Sequence, residues 1–307
     1  MATTIIEPGV IPPHGAEAPF LRRAERAAVF GLRARRFMTL AQGHVMADFL
    51  RFMGHLAEAQ QRTLDAQGAP VLPGAGQIKL CKAHGMPPLG TQTLRRDPSW
   101  REGLHSLLAQ VESQANDATR AAMQRLAALP EADLEAFADR LLDGDYAGLD
   151  LAAAPLVGAA LQVYWVRLAT ALEQADFSRP EAHTLCPACG SLPGASMVRI
   201  GGAEQELRYL HCSLCASEWN MVRVKCSHCE STKGIAYFGV EGGDEAVKAE
   251  ACDECRSYLK ILNMEKNPAV DPVADDLATL ALDILMDEAG FLRSGPNLLL
   301  FPGDADA

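Results

Sequence analysis

Apolar residues recur at helical spacing through the first half of the chain. In "VMADFLRFMGHL" the positions Val45, Phe49, Phe52, Met53 and Leu56 follow the stripe of an amphipathic helix. Trp100, Leu104, Leu107, Leu108 and Val111 repeat it. Leu129, Pro130 and Glu131 read as a helix entry with proline in the first turn, leading through Leu134, Phe137 and Leu141 to a stop at Gly144. A last long helix runs through Val157, Leu161, Tyr164, Trp165, Leu168 and Leu172 and ends before "SRP" at Ser178 to Pro180. Between the early helices, Gly68 to Pro98 is rich in proline and glycine and is expected to be mostly loop. The pattern predicts an α-helical bundle over residues 1–182.

After His183 the helical period disappears. "SMVRI", the pair Gly201 and Gly202, and "ELRYL" have the form of a β-hairpin; "AYFGV", Gly242 and Gly243, and "AVKAEA" repeat it. The run "EWNMVRV" reads as a strand joining the two. Helical spacing returns in "DPVADDLATLALDIL", with Asp271 as N-cap, Pro272 in the first turn, one stripe through Val273, Leu277, Leu280 and Ile284, and a stop at Gly290. The apolar tail Leu298 to Phe301 is expected to dock on the protein's own core.

Each predicted hairpin is framed by CxxC turns. Cys186 and Cys189 are followed, after 22 intervening residues, by Cys212 and Cys215; Cys226 and Cys229 are followed, after 22 intervening residues, by Cys252 and Cys255. The unit repeats with a period of 40, and Ser191 matches Ser231, Gly194 matches Gly234, Arg208 matches Lys248 and Ser217 matches Ser257. Two CxxC turns supply four thiolates, a tetrahedral donor set suited to zinc or iron. A duplicated unit is most simply self-sufficient, so Cys186, Cys189, Cys212 and Cys215 are assigned to one ion and Cys226, Cys229, Cys252 and Cys255 to a second. The expected architecture is the helical bundle, a rubredoxin-like or zinc-ribbon module over 183–224, another over 225–265, and a C-terminal helix and tail over 266–307. Small hairpins have little core of their own, so the ions are either structural or, as iron, redox-active. His183, His211 and His228 flank the cysteines and are expected beside the sites or exposed. Trp219 aligns with Leu259 of the second unit, which argues for packing.

Composition narrows the functional classes. The ninth cysteine, Cys81, stands alone and reads as a small buried hydrophobe without a role. The first 20 residues lack a basic start followed by an apolar run, so a reducing cytoplasmic compartment is expected, where paired cysteines bind metal more often than they form disulfides. The longest apolar window, Leu151 to Val166, falls short of the roughly 20 residues of a bilayer span, so no stable membrane insertion is expected. A net charge of −11, with eight Lys and Arg against ten Asp and Glu between His183 and Lys260, speaks against nucleic acid. Arg22 to Arg36 carries six arginines and one glutamate, which is either a solvated helix face or a contact for an acidic partner or for the protein's own acidic half. No GxSxG, GxxxxGK[ST], HExxH or strand-following GxGxxG is present, so the chain reads as a non-enzyme.

The four CxxC turns, "LRYLHCSLCASEWNMVRVKCSHC", "KAEACDECRSYLKIL" and "VADDLATLALD" together resemble the FdhE family of formate dehydrogenase accessory proteins. The resemblance is strong from about Cys186 to Pro302 and looser before it. It implies a cytoplasmic maturation chaperone that contacts the catalytic subunit of respiratory formate dehydrogenase before export, with a helical region joined to rubredoxin-like modules. It favours iron over zinc at the eight cysteines. The competing classes are a nucleic-acid-binding zinc ribbon and a rubredoxin-like electron carrier.

Overall fold

The computed structural model describes residues 18–180 and 183–301. The amino-terminal stretch 1–17, where no secretory leader is read, and the chain after Phe301 lie outside the described residues. A short strand β1 (Leu21–Arg22) precedes seven helices: α1 (Val29–Leu40), α2 (Ala47–Ala66), α3 (Ala75–Ala83), α4 (Ser99–Val111), α5 (Asp117–Ala128), α6 (Glu131–Asp143) and α7 (Ala154–Ala171). The strands β2 (Pro193–Val198), β3 (Arg208–Cys212), β4 (Glu218–Asn220), β5 (Ile235–Phe238), β6 (Val247–Cys252) and β7 (Ser257–Asn263) follow. The described chain closes with α8 (Ala274–Ala278), α9 (Leu280–Glu288) and β8 (Leu292–Arg293).

Helix α7 is the axis of the helical body. Its apolar residues surround it, and nearly every side chain from Ala154 to Ala169 is buried. Trp100, Leu104, Leu107 and Val111 of α4, and Leu134, Phe137 and Leu141 of α6, are buried as their spacing predicts. The α2 stripe differs: the helix starts at Ala47, Val45 is exposed, and the core takes Leu50, Met53, Leu56, Ala57 and Leu64. The proline- and glycine-rich stretch is not all loop, because residues 75–83 form α3 between Gly74 and His84. That helix buries none of its residues, and Cys81 on it is half-buried rather than a core residue. The tail does dock on the core: Leu298, Leu299 and Phe301 are buried. A Cβ on Gly158 of α7 would lie 2.2 Å from the Leu298 carbonyl oxygen, so only glycine allows the tail so close.

The two hairpin units form one sheet. Its order is β1-β4-β3-β2-β7-β6-β5, with β8 beside β7. Neighbours are antiparallel except β2 with β7 and β7 with β8. The join falls between β2 of the first unit and β7 of the second, where Ser196 faces Ile261 and Val198 faces Asn263. Strand β7 was not among the predicted elements; residues 257–262 are all buried, so "SYLKILN" lacks the polar alternation of a half-exposed strand. The predicted linking strand is cut short. Only Glu218–Asn220 enters the sheet, and Val222 and Val224 are exposed.

The single helix expected after Asp271 is two. Asp271 caps as predicted, its Oδ1 accepting from Val273 N at 2.9 Å and Ala274 N at 2.8 Å. The helix then breaks at Thr279, whose carbonyl accepts from the Lys260 ammonium at 3.1 Å while Asp276 O accepts from it at 2.8 Å. A side chain that occupies these carbonyls competes with the helical ladder. The break rotates the apolar stripe, so Val273 and Leu277 are buried but Ile284 is 61% exposed, and α9 buries Leu282 and Met286 instead.

The arginine-rich segment meets the protein's own acidic C-terminal part. Arg36 Nε donates to Asp275 Oδ2 at 2.9 Å and Arg33 Nε to Asp271 Oδ1 at 3.3 Å, tying α1 to the capping turn of α8. Arg26 instead donates to the Leu64 carbonyl at the end of α2, at 2.6 Å. Arg35 stays exposed.

Candidate metal centres

All four CxxC turns share one local conformation. The residue after the second cysteine has a left-handed backbone in each: φ is +76° at Gly190, +53° at Ala216, +61° at Glu230 and +53° at Arg256. Only the first uses glycine, so the other three accept a strain of about 1–2 kcal/mol each. In the first three turns the N–H of that residue donates back to the carbonyl of the leading cysteine, at 2.8 Å from Gly190 to Cys186, 3.0 Å from Ala216 to Cys212 and 3.1 Å from Glu230 to Cys226. The leading cysteine N–H in turn donates to the carbonyl of a serine two residues past the second cysteine, in Cys186–Ser191, Cys212–Ser217 and Cys226–Ser231. In the fourth turn Cys252 faces Ser257 as a register partner. The pattern in the sequence is therefore CxxCxS four times, although only the pairs Ser191 with Ser231 and Ser217 with Ser257 were singled out from it.

Strand register brings the turns together. Cys212 ends β3 opposite Pro193, and Cys252 ends β6 opposite Ile235, so each returning strand delivers its turn beside the one that opened the hairpin. Cys186, Cys189, Cys212 and Cys215 converge with all sulfurs within 4.8 Å of one another, as do Cys226, Cys229, Cys252 and Cys255. In the first group Sγ of Cys186 and Cys215 are 3.6 Å apart, and those of Cys189 and Cys212 are 3.4 Å apart. In the second, Cys226 with Cys255 and Cys229 with Cys252 are each separated by 3.7 Å. A disulfide needs about 2.05 Å. Four sulfurs around one ion at about 2.3 Å have a tetrahedral edge near 3.8 Å, and the quartets fit that.

The charge state of the thiols points the same way. Burial and the neighbouring thiols push Cys186 well above the usual thiol range, and burial does the same to Cys212. Burial also opposes charge on Cys215, but hydrogen bonds from Cys186, Cys189, Cys212 and Ser217 outweigh it and hold that thiol well below its ordinary value. In the second group partial desolvation and the neighbouring thiols push Cys229 up to about 12, while Cys255 is held at about 7 because the Ser257 hydroxyl and adjacent thiols outweigh desolvation. Burial and crowding thus oppose charge on Cys186, Cys212 and Cys229, and a bound cation would offset that opposition. Donors are already in place: Cys215 N lies 3.5 Å from Cys212 Sγ, and the N–H groups of His228 and Cys229 lie 3.3 and 3.4 Å from Cys226 Sγ.

The two quartets differ in their surroundings. The first sits in the main core with Leu210, Leu214 and Trp219, and helix α7 reaches it through Gln162, whose Nε2 donates to Ser213 O at 2.6 Å. The stretch after α3 covers it, with Leu89 N donating to Ala188 O at 3.0 Å and Thr91 N to Cys189 O at 3.1 Å. In the second quartet Cys229 is exposed and Cys255 half-buried. The flanking histidines lie outside both groups. His228 is exposed, His211 is buried with Nδ1 3.5 Å from Glu218 Oε1, and His183 joins the units through its backbone, accepting from Trp219 Nε1 at 2.7 Å and donating to Glu230 Oε1 at 3.0 Å. Trp219 is buried, as the comparison with Leu259 anticipates.

Two supporting residues were not picked out from the sequence for these roles. Arg208 on β3, buried, pairs at 2.6 Å with Glu250 on β6, also buried, and bonds Ser196 Oγ at 2.8 Å, so a guanidinium crosses from the first unit to the second. Burial leaves the Glu250 carboxyl above its usual range despite Arg208. Glu218 on β4 is the second. Burial opposes its charge, but His211 and Arg199 outweigh that and hold it at about 2, against 4.5 for an ordinary glutamate. A depressed carboxylate contributes stability that is present above the unfolded value and lost as pH falls through the folded one. Wild type is expected to exceed Glu218→Gln by about 3 kcal/mol at neutral pH, with the gap closing between about pH 4.5 and 2. Denaturant midpoints measured across that window check this; a constant gap refutes it.

A helical body carrying a duplicated CxxC ribbon on one sheet, with two groups of four sulfurs that can each hold an ion, defines a protein class with two tetrathiolate sites. Family models match along the described chain: FdhE, N-terminal, over residues 18–181; FdhE, central domain, over 185–223; and FdhE, C-terminal domain, over 224–300. The chain is 42% identical over 308 residues to a "Protein FdhE homolog" of Pseudomonas aeruginosa, covering 99% of each chain. It is 46% identical over 286 residues to a "Protein FdhE homolog" of Edwardsiella ictaluri, covering 90% of this chain and 89% of that one. The crystal structure of the FdhE protein from Pseudomonas aeruginosa superposes with a TM-score of 0.86 at 42% identity, covering 93% of this chain and 100% of the other. The chain belongs to the FdhE family. Among the described residues no helix is long and apolar enough to cross a membrane.

Proposed function

We propose that this chain is an accessory protein for the maturation of respiratory formate dehydrogenase, which binds the catalytic subunit in the cytoplasm before export and holds one metal ion in each cysteine quartet. Membership of the FdhE family supports the first part. The observation that carries the second is the meeting of eight sulfurs in two groups at tetrahedral separation. Cys186, Cys189, Cys212 and Cys215 are the ligands of one ion, and Cys226, Cys229, Cys252 and Cys255 of the other, with iron preferred and zinc the alternative for this donor set. A bound ion supplies the positive charge that lets the four crowded thiols ionise together. The protein's own groups then orient the ligands: the N–H groups of Cys215, His228 and Cys229 face sulfurs, and Ser257 Oγ lies 3.0 Å from Cys255 Sγ.

The chain acts in this reading as a binder and not as a catalyst. Affinity-tagged protein purified without oxygen is expected to recover the catalytic subunit of formate dehydrogenase and to contain two metal equivalents, and a deletion strain is expected to lose formate oxidation. Failure to recover the subunit together with unchanged formate oxidation refutes the maturation role. Absence of metal refutes the site assignment separately.

A further inference from the structure

A cavity of about 950 Å³ on the helical body is lined by Arg96 and Arg101, which already pair with Glu135, Asp139 and Glu131. A smaller cleft of about 450 Å³ lies between α1, residues of β2, β3 and β4, and the 264–272 loop. This second volume falls within the range of small-molecule sites. Its lining includes Arg22, Arg23, Arg33, Arg35, Arg36 and Arg199, against Glu25, Glu218 and Asp271. Val29, Leu32, Met197, Met264 and Val270 add apolar wall.

Internal pairing does not exhaust these cations. Arg22 pairs with Glu204 and also approaches Glu218 at 3.5 Å, and Glu218 pairs with Arg199 and lies 3.5 Å from His211, so this buried carboxylate is shared among basic side chains. Arg199 Nε and His211 Nε2 are buried without a hydrogen-bond partner, while His211 Nδ1 faces Glu218, and both residues line the cleft. Arg23 donates to the Leu172 carbonyl rather than to a carboxylate, and Arg35 is exposed; among the described residues neither has an ion-pair partner. A buried donor left unpaired costs about 1–3 kcal/mol, so the Arg199 Nε on the wall of this cleft marks a place where an acceptor is missing. Guanidinium groups bind phosphate and carboxylate through paired N–H donors.

We propose that this cleft is a binding site for an organic anion, a phosphate or carboxylate head carried on an apolar body, with the head held by Arg23, Arg35 and Arg199 and the body against Leu32, Met197 and Met264. The site adjoins the first quartet, since Ala216 follows Cys215 and His211 precedes Cys212, but it needs neither the metal assignment nor the protein partner.

Titration calorimetry on the full chain with 1-naphthyl phosphate, 1-naphthoate and neutral 1-naphthol tests it. At least one of the two anions is expected to bind, more weakly as salt rises, and the stronger of the pair identifies the head group; the naphthol is expected not to bind. Arg23→Ala and Arg35→Ala are each expected to weaken that binding roughly tenfold or more, whereas Arg62→Ala on the exposed face of α2 leaves it unchanged. If Arg23→Ala proves poorly folded, the exposed Arg35→Glu carries the test alone. No binding of either anion to the wild type, equal binding of the naphthol, or equal weakening by Arg62→Ala overturns the proposal.

Discussion

Replacing Cys186 or Cys212 by serine is expected to abolish the folded state, whereas Cys229→Ser removes one metal equivalent and leaves the helical body standing. The first quartet lies in the same core as α7, Trp219 and the segment that covers Ala188 and Cys189. On the proposed assignment, losing the ion leaves buried thiols and backbone groups without the centre that would organise them. A structural zinc ion in a zinc-finger peptide contributes about 10–16 kcal/mol, which is comparable to the whole stability of a typical domain at about 5–15 kcal/mol. The second quartet sits toward the outer end of the sheet with Cys229 exposed, so its loss frees β5 and its turn without opening the main core. Far-UV circular dichroism, thermal melting and metal content of the variants check this. The same asymmetry predicts that a chelator removes metal in two phases, the faster one belonging to Cys226, Cys229, Cys252 and Cys255. Identical melting of Cys186→Ser and Cys229→Ser, or release in a single phase, contradicts the assignment of unequal roles.

Asp276→Asn is expected to destabilise the protein by about 3–5 kcal/mol, the cost of leaving buried charge without its partner. Asp276 is buried between Lys260, 3.1 Å from Oδ1, and Arg293, 2.7 Å from Oδ2, with Asn297 Nδ2 donating at 2.8 Å. Asparagine leaves the buried Lys260 and the mostly buried Arg293 with Asp283 as their shared carboxylate. Burial opposes the Asp276 charge, but Arg293 and Lys260 outweigh it and hold the carboxyl well below the usual range. Its contribution is therefore complete above the ordinary aspartate value of 3.8 and is lost only as pH falls through the lower folded value. Guanidinium unfolding at neutral pH measures the loss, and Lys260→Met added to Asp276→Asn is expected to recover part of it by removing the stranded cation. A loss below about 1 kcal/mol means that the network contributes little.

This network also explains where sequence reasoning went astray. "DPVADDLATLALDIL" has an unbroken helical period, and the one local mark of the break is Thr279 itself, whose Oγ1 donates to Asp275 O at 2.8 Å and Asp276 O at 3.2 Å. At the break Lys260, 16 residues before Asp276 in the chain, adds its ammonium to the Asp276 and Thr279 carbonyls, a remote contact that no local pattern records. Likewise "SYLKILN" gives no two-residue alternation because the sheet is covered on both sides there, and coverage is a property of distant segments. Helix α3 was hidden by the glycines and prolines around it. The helices of the bundle core were legible, because Trp100 to Val111 and Leu134 to Leu141 carry stripes that bury as spaced.

The amino-acid sequence by itself determined the duplication, the membership of each cysteine in its quartet and the helical nature of the first half, because these rest on spacing within short stretches and on strand return across 22 residues. Tertiary structure decided that the two units share one sheet through β2 and β7, that one quartet is enclosed and the other open, and that the arginines near the start of the chain meet acids near its end. Sulfur convergence is encoded locally by turns and hairpins. Burial and ion pairing depend on which remote surfaces meet, and no local pattern records that.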